Sequence, residues 1–223
     1  AGIEVEGDVI TAGAGANDLN VARRALEAGL GGLEFLGGIP GAIGGALRMN
    51  AGAYGREIKD VVIDADILDA TGNRHRLGLP ELGLGYRRSI VPEDWIFTAA
   101  RFRGVAGDKD EIAGRMEEIR AEREKTQPIK TPTGGSTFRN PEGANPKGAK
   151  AWELIDKAGC RGLKRGGARV SDRHCNFLIN DGSATAADLE GLGEEIRRRV
   201  LEHSGVKLEW EIKRFGRHSE GLT

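Results

Sequence analysis

The sequence predicts an α+β fold. Three observations carry that reading: strand-like runs that come in hairpin pairs around turn signals, helical stretches with their own caps and stops, and a change of composition near residues 125 to 132 that divides the chain. Ile3 to Val5 and Val9 to Ala12 form two short strands around the Glu6-Gly7-Asp8 turn. Asn17 or Asp18 caps a helix reaching about Ala28, with Val21, Ala22, Ala25 and Leu26 inward and Gly29 as its stop. Val61 to Ala70 is rich in β formers and ends at Thr71-Gly72-Asn73, a hairpin signal. Trp95 to Arg103 is another strand. Asp108 to about Lys125 is a charged helix with Ile112, Met116 and Ile119 on one stripe and Pro128 beyond its end.

From Ile129 to Lys150 the chain turns to Pro, Gly, Thr and Asn. A short helix follows at Ala151 to Ala158, then a strand at Asn176 to Asn180. Thr185 and Asp188 make a capping box for a helix whose apolar face is Leu189, Leu192, Ile196 and Val200, closed by Gly205. Leu208 to Phe215 alternates as a terminal strand, Leu208, Trp210 and Ile212 on one face and Glu209, Glu211 and Lys213 on the other. The expected domains are residues 1–126 and 127–223, the second ending in that strand.

Composition narrows the function. The 223 residues are 39% hydrophobic, enough for a core, and the formal net charge of −1 with both signs mixed argues against a nucleic-acid groove or an anionic membrane surface. No apolar run approaches the roughly 20 residues of a membrane span. The two cysteines, Cys160 and Cys175, match no zinc spacing, and the four histidines do not cluster as ligands, so no metal is expected. The opening Ala-Gly-Ile-Glu-Val-Glu-Gly-Asp is neither a basic signal region nor an initiator end, and is expected to lie inside a longer protein.

The most informative stretch is residues 37–55, with seven glycines and four alanines among nineteen and Arg48 as the only charge. Such density weakens helix and strand alike, and makes sense where bare backbone is the functional surface, approached by a ligand or aimed at phosphate oxygens. Ile39, Ile43, Leu47 and Met49 exclude a solvated linker. Gly13-Ala14-Gly15-Ala16-Asn17-Asp18, with Glu34 further on, mimics a dinucleotide fingerprint, but Asp18 stands where the third glycine belongs, and an acid at a helix start repels phosphate. It reads as a turn and N-cap. Gly85-Tyr86-Arg87-Arg88-Ser89 places two guanidinium forks beside a hydroxyl, suited to carboxylate or phosphate, although on spacing alone a surface turn with solvated arginines is the better reading. Ser136, in the glycine turn Thr133 to Pro141, has no histidine nearby in sequence to activate it, and Glu211 lies on a polar strand face.

Taken in order, these motifs resemble the UDP-N-acetylenolpyruvoylglucosamine reductase family, flavoenzymes of peptidoglycan synthesis. The resemblance rests on Glu34 to Gly41, Asn50 to Gly55, Gly85 to Ser89, Gly134 to Pro141, Trp152 to Asp156, Gly159 to Gly162, His174 to Phe177 and Glu209 to Ile212. It implies a cytoplasmic, monomeric enzyme without nucleic-acid or membrane partners. In that chemistry NADPH reduces bound FAD, and the enolpyruvyl ether UDP-N-acetylglucosamine enolpyruvate is then reduced to UDP-N-acetylmuramate. By the same resemblance, Arg87 matches the arginine facing the developing enolate, Ser136 the serine that protonates the enol carbon, and Glu211 the glutamate at the substrate carboxylate. Gly38, Ile39, Pro40, Gly41 and Ala42, with Asn50, Gly52, Ala53, Tyr54 and Gly55, match flavin-contacting segments. Lys125, Arg88 and Asn140 match substrate contacts.

The family carries a further small flavin subdomain upstream, with a Gly-Ser-Asn loop around the FAD pyrophosphate, and that part is expected to be missing here. Residues 1–126 would then be the second flavin subdomain and 127–223 the substrate-binding domain. The Arg103 to Lys125 region lacks an obvious tyrosine loop, as in the family's shorter class. Two alternatives stay open: another FAD-dependent oxidoreductase of the same fold, with His174-Cys175 at the flavin edge, or a nucleotide-sugar-binding fragment without turnover.

Overall fold

Alternating burial along a few strands organises the first half of the chain. The computed structural model describes residues 2–128, 131–141 and 148–216. Of the Pro- and Gly-rich stretch, residues 129–130 and 142–147 lie outside that set, as does His218. The chain divides into two units, Ala1–Arg123 and Glu124–Thr223.

In the first unit, β1 (Ile3–Glu6) and β2 (Val9–Gly13) pair around Gly7, which takes the positive φ the tight turn needs. α1 (Asp18–Glu27) begins where Asn17 accepts a hydrogen bond from the Leu19 N–H, and it buries Val21, Ala22 and Ala25. Then come β3 (Leu30–Gly31), a 3-10 turn at Glu34–Gly38, α2 (Ile43–Arg48), and the small hairpin of β4 (Gly52–Ala53) and β5 (Arg56–Glu57). The stretch expected to resist regular structure therefore contains a helix. β6 (Val62–Leu68), β7 (Arg74–Gly78), the short α3 (Leu79–Leu82), β8 (Ile96–Arg103) and β9 (Val105–Ala106) follow.

The strands form one antiparallel sheet in the order β1-β2-β8-β6-β7, while β3 pairs with β9. One sheet face is apolar: Ile10 and Ala12 of β2, Ala65 and Ile67 of β6, and Ala100 and Phe102 of β8 are buried together with Val21, Leu36, Ile43 and Leu47. Asp64 is buried too, and the Arg101 guanidinium beside it in the sheet pairs with both its oxygens. α4 (Lys109–Thr126) buries only Ile112 of its expected stripe.

In the second unit, β10 (Thr133–Ser136) lies in the stretch expected to be irregular. α5 (Ala151–Lys157), β11 (Lys164–Arg165), β12 (Ala168–Val170), β13 (Phe177–Asn180) and α6 (Ala186–Ser204) complete it. The antiparallel sheet runs β10-β13-β12-β11. The core holds Phe138, Leu154, Ile155, Val170, Leu178, Leu192, Ile196 and Leu208. The Thr185–Asp188 capping box and a left-handed Gly205 bound α6 as expected.

The terminal strand is a correction. Leu208 is buried, yet pairing is confined to a single bridge between Phe138 and Trp210. The reason lies in the partner segment. The register of β10 shifts within the strand, between Thr133 and Ser136, which breaks regular pairing on one side of Phe138, and Pro141, with no N–H to donate, limits it on the other. Only Thr137 to Arg139 remain available.

Candidate active site

Two strips of small residues lie edge to edge in the first unit. The Gly44 N–H donates to the Ala14 carbonyl (2.8 Å), Ile43 to Ala16 (3.0 Å), and Asp18 to Gly41 (3.1 Å). Glycine is needed here for approach: a Cβ on Gly44 would meet the Ala14 Cβ at 3.1 Å, and one on Gly41 would meet an Asp18 carboxylate oxygen at 3.0 Å. Two short runs, one read as a turn before a helix and the other as a ligand loop, thus form one surface. The Asp18 carboxyl is buried with neither oxygen hydrogen-bonded among the described residues, and burial raises its pKa from 3.8 to about 7.

All the flavin-matching residues but one fall on this surface; Asn50 is the exception, buried with both amide hydrogens bonded inside the unit. Gly38, Ile39, Pro40, Gly41 and Ala42 form the bend between the 3-10 turn and α2, and Pro40 and Gly41 are exposed. Gly52 and Ala53 are strand β4, and Tyr54 and Gly55 are the hairpin tip. The tip folds back over the bend: a Cβ on Gly38 would stand 2.7 Å from the Tyr54 ring, and Tyr54 Oη donates to the Ile119 carbonyl (3.2 Å). Space above Gly45 and Gly55 is open, with no heavy atom within 4 Å of where a Cβ would be. Bare, exposed backbone beside open space fits a flat cofactor and its phosphates. Glu34 instead braces the structure around it, accepting from the Gly32 N–H (2.7 Å) and pairing with Arg115 (2.9 Å).

The Arg87 turn is tight. Gly85 and Arg88 exchange both backbone hydrogen bonds, and Arg87 sits between them at φ 53°, a left-handed conformation costing a non-glycine residue about 1–2 kcal/mol. Its guanidinium lies 5.3 Å from the Tyr86 ring centre, and the Arg88 side chain folds against Gly85. The Ser89 hydroxyl donates to the Leu82 carbonyl and accepts from the Val91 N–H, so it serves the backbone. Arg48, the lone charge of the glycine stretch, donates to the carbonyls of Val91, Pro92 and Trp95 and fastens the next loop, a role no local pattern announced.

In the second unit Ser136 ends β10 opposite Phe177 and is half-buried. Glu211 donates its N–H to the carbonyl of Thr137 (2.9 Å), the residue after Ser136, so the two ends of the unit run side by side here. On the other side of the same segment, Asn176 Nδ2 donates to the Phe138 carbonyl (2.8 Å) while its Oδ1 accepts from the Phe138 N–H (3.0 Å). A cavity of about 420 Å³ opens beside this segment, lined among others by Thr133, Gly134, Thr137, Trp210 and Ile212, with neither Ser136 nor Glu211 in its lining. Asn140, exposed, accepts from the Ala151 N–H at the start of α5 (3.0 Å), and Lys125 is exposed in the last turn of α4. Cys175 is buried, its thiol pushed up to about 11 by burial, which makes it a core residue and not a reactive edge. Among the described residues no cluster of His, Cys, Asp or Glu could hold a metal ion, and no helix is long and apolar enough to cross a membrane.

Known proteins match both units. Residues 1–78 match the family described as an FAD binding domain, and residues 127–215 match the C-terminal domain of UDP-N-acetylenolpyruvoylglucosamine reductase. A protein of that name from Paramagnetospirillum magneticum is 63% identical over 97% of this chain and 69% of its own length. One from Azorhizobium caulinodans is 61% identical over 96% and 68%. The crystal structure of the reductase from Thermus caldophilus superposes with a TM-score of 0.80 at 38% identity, covering 91% of this chain and 71% of that one. On these likenesses the chain belongs to the UDP-N-acetylenolpyruvoylglucosamine reductase family.

Proposed function

We propose that this chain catalyses the reduction of UDP-N-acetylglucosamine enolpyruvate to UDP-N-acetylmuramate in the cytoplasm, a step of peptidoglycan synthesis, with NADPH as reductant. Residues 1–126 serve the flavin, and residues 127–223 bind the sugar nucleotide. FAD, when bound, supplies chemistry no side chain has, accepting a hydride from NADPH and releasing it to the vinyl carbon of the substrate.

The chain's own residues do the rest. The backbone of Gly38 to Ala42 and of Gly52 to Gly55 holds the cofactor. As the new C–H bond forms at the vinyl carbon, the π-electron pair moves toward the substrate carboxylate as an enolate. Arg87 faces that charge with its cationic fork, which stabilises the transition state more than the uncharged double bond. Ser136 gives its hydroxyl proton to the enol carbon, completing the saturated product, and regains one from solvent. Glu211 orients the carboxylate end. Lys125, Arg88 and Asn140 bind the nucleotide sugar.

One observation supports the reading: the Glu211 N–H to Thr137 carbonyl bond brings the end of the second unit beside the segment that carries Ser136. The test is spectroscopic and kinetic together: flavin absorbance of the purified protein, then NADPH oxidation that depends on added enolpyruvyl UDP-sugar. A flavin-loaded protein that oxidises NADPH at the same rate with and without that substrate overturns the proposal.

A further inference from the structure

Asn50 is buried, 1% exposed, and holds the unusual φ of 40°. Asparagine tolerates that region better than most residues, but tolerance alone does not account for what its side chain does. Both amide hydrogens are engaged, one with Glu57 Oε2 (2.7 Å) and one with the Gly85 carbonyl (3.1 Å), while Oδ1 accepts from the Lys59 N–H (3.0 Å). Gly85 is the residue that exchanges both backbone hydrogen bonds with Arg88 around Arg87. Glu57 is itself fixed: Lys59 Nζ lies 2.8 Å from it, and its Cγ fills the space a side chain on Gly52 would need.

We infer that Asn50 is a positioning residue for Arg87, fastening the turn that carries the guanidinium to the hairpin of the cofactor surface. The inference rests on the reading of Arg87 given above. A turn with a left-handed arginine has other conformations close in energy, and an enolate-facing fork out of place by about 1 Å loses much of its effect. The buried amide selects one of them. Glu57 supplies a carboxylate in the same cluster, held below the usual range first by its hydrogen bond to Lys59, with Asn50 and the Arg87 charge acting the same way. Cofactor surface and substrate arginine are thus joined through one side chain.

The test is a double-mutant cycle in the FAD-loaded enzyme, with each half-reaction followed separately by stopped flow. Asn50→Gly removes the three side-chain bonds while glycine keeps the positive φ without strain. It is expected to leave flavin reduction by NADPH within about twofold and to slow reoxidation by the enolpyruvyl UDP-sugar about tenfold or more. In an Arg87→Lys background the same change should cost less than about threefold, because the fork it positions is already gone. Glu57→Gln, which keeps shape and one acceptor, should show the same non-additivity at about threefold. Equal losses in both backgrounds, or a loss shared equally by both half-reactions, would overturn the inference and leave Arg87 in its role. Wild-type reoxidation by Arg87→Lys would instead overturn the assignment of Arg87, and this inference with it.

Discussion

Asp18 makes the stability of this protein pH-dependent in a way a single substitution can isolate. Its carboxyl is fully buried with no hydrogen-bond partner among the described residues, and burial raises its pKa from 3.8 to about 7. The folded state therefore holds the proton more tightly than the unfolded state. Stability on this account is full below pH 3.8, falls through the interval to 7, and has lost its whole increment above that. Three pKa units at about 1.4 kcal/mol each come to about 4 kcal/mol. The first turn of α1 favours a negative charge by only about 0.3–1 kcal/mol, so it does not reverse the sign. Asp18→Asn keeps the shape and the two buried polar atoms but cannot titrate, so their common desolvation cost cancels when two pH values are compared. The variant should gain about 3 kcal/mol over the parent protein on going from pH 4.5 to pH 8. In urea unfolding followed by circular dichroism, with flavin content matched, that is a relative midpoint shift of about 1–3 M. Parent and variant whose stabilities track each other within about 0.5 kcal/mol across that range would refute the reasoning, since it would mean that the carboxyl has found a donor or water in solution.

Other outcomes follow from single contacts. Ser136→Ala should leave reduction of the flavin by NADPH nearly unchanged and slow reduction of the sugar substrate by about two orders of magnitude or more, measured as separate half-reactions; equal losses would assign the hydroxyl a structural role. Gly38→Ala should weaken FAD affinity, read by quenching of flavin fluorescence, because a Cβ 2.7 Å from the Tyr54 ring forces the hairpin tip off the bend; an unchanged affinity would detach Tyr54 from the cofactor surface. Thr185→Ala removes the hydrogen bond to the Asp188 N–H and should destabilise the second unit by about 1 kcal/mol in thermal unfolding. Gly193→Ala should cost more, since its Cβ would collide with the Trp210 indole.

What could be read in advance depended on whether its cause was local. α6 was legible because its start, stripe and stop all lie within its own turns, at Thr185, Leu192 to Val200 and Gly205. The alternation from Leu208 to Ile212 is just as local and just as real, but a strand needs a partner of equal length. That length is limited by the register shift between Thr133 and Ser136 and by Pro141, far back in the chain. α2 was hidden for the converse reason. Gly44 and Gly45 disfavour a helix on propensity, and the glycine at 44 answers to its close approach to Ala14, a demand set by the packing of another segment. Asp18 shows the same split within one residue: its charge at a helix start was visible, its burial under Gly41 was not. The site residues are the extreme case, since nothing near Ser136 in sequence marks it as an acid, and Glu211 lies in the segment that runs beside its own. Their roles could be proposed only because several such segments occur together and in order. A lone motif reports its neighbours in sequence, whereas an ordered set carries information about neighbours in space.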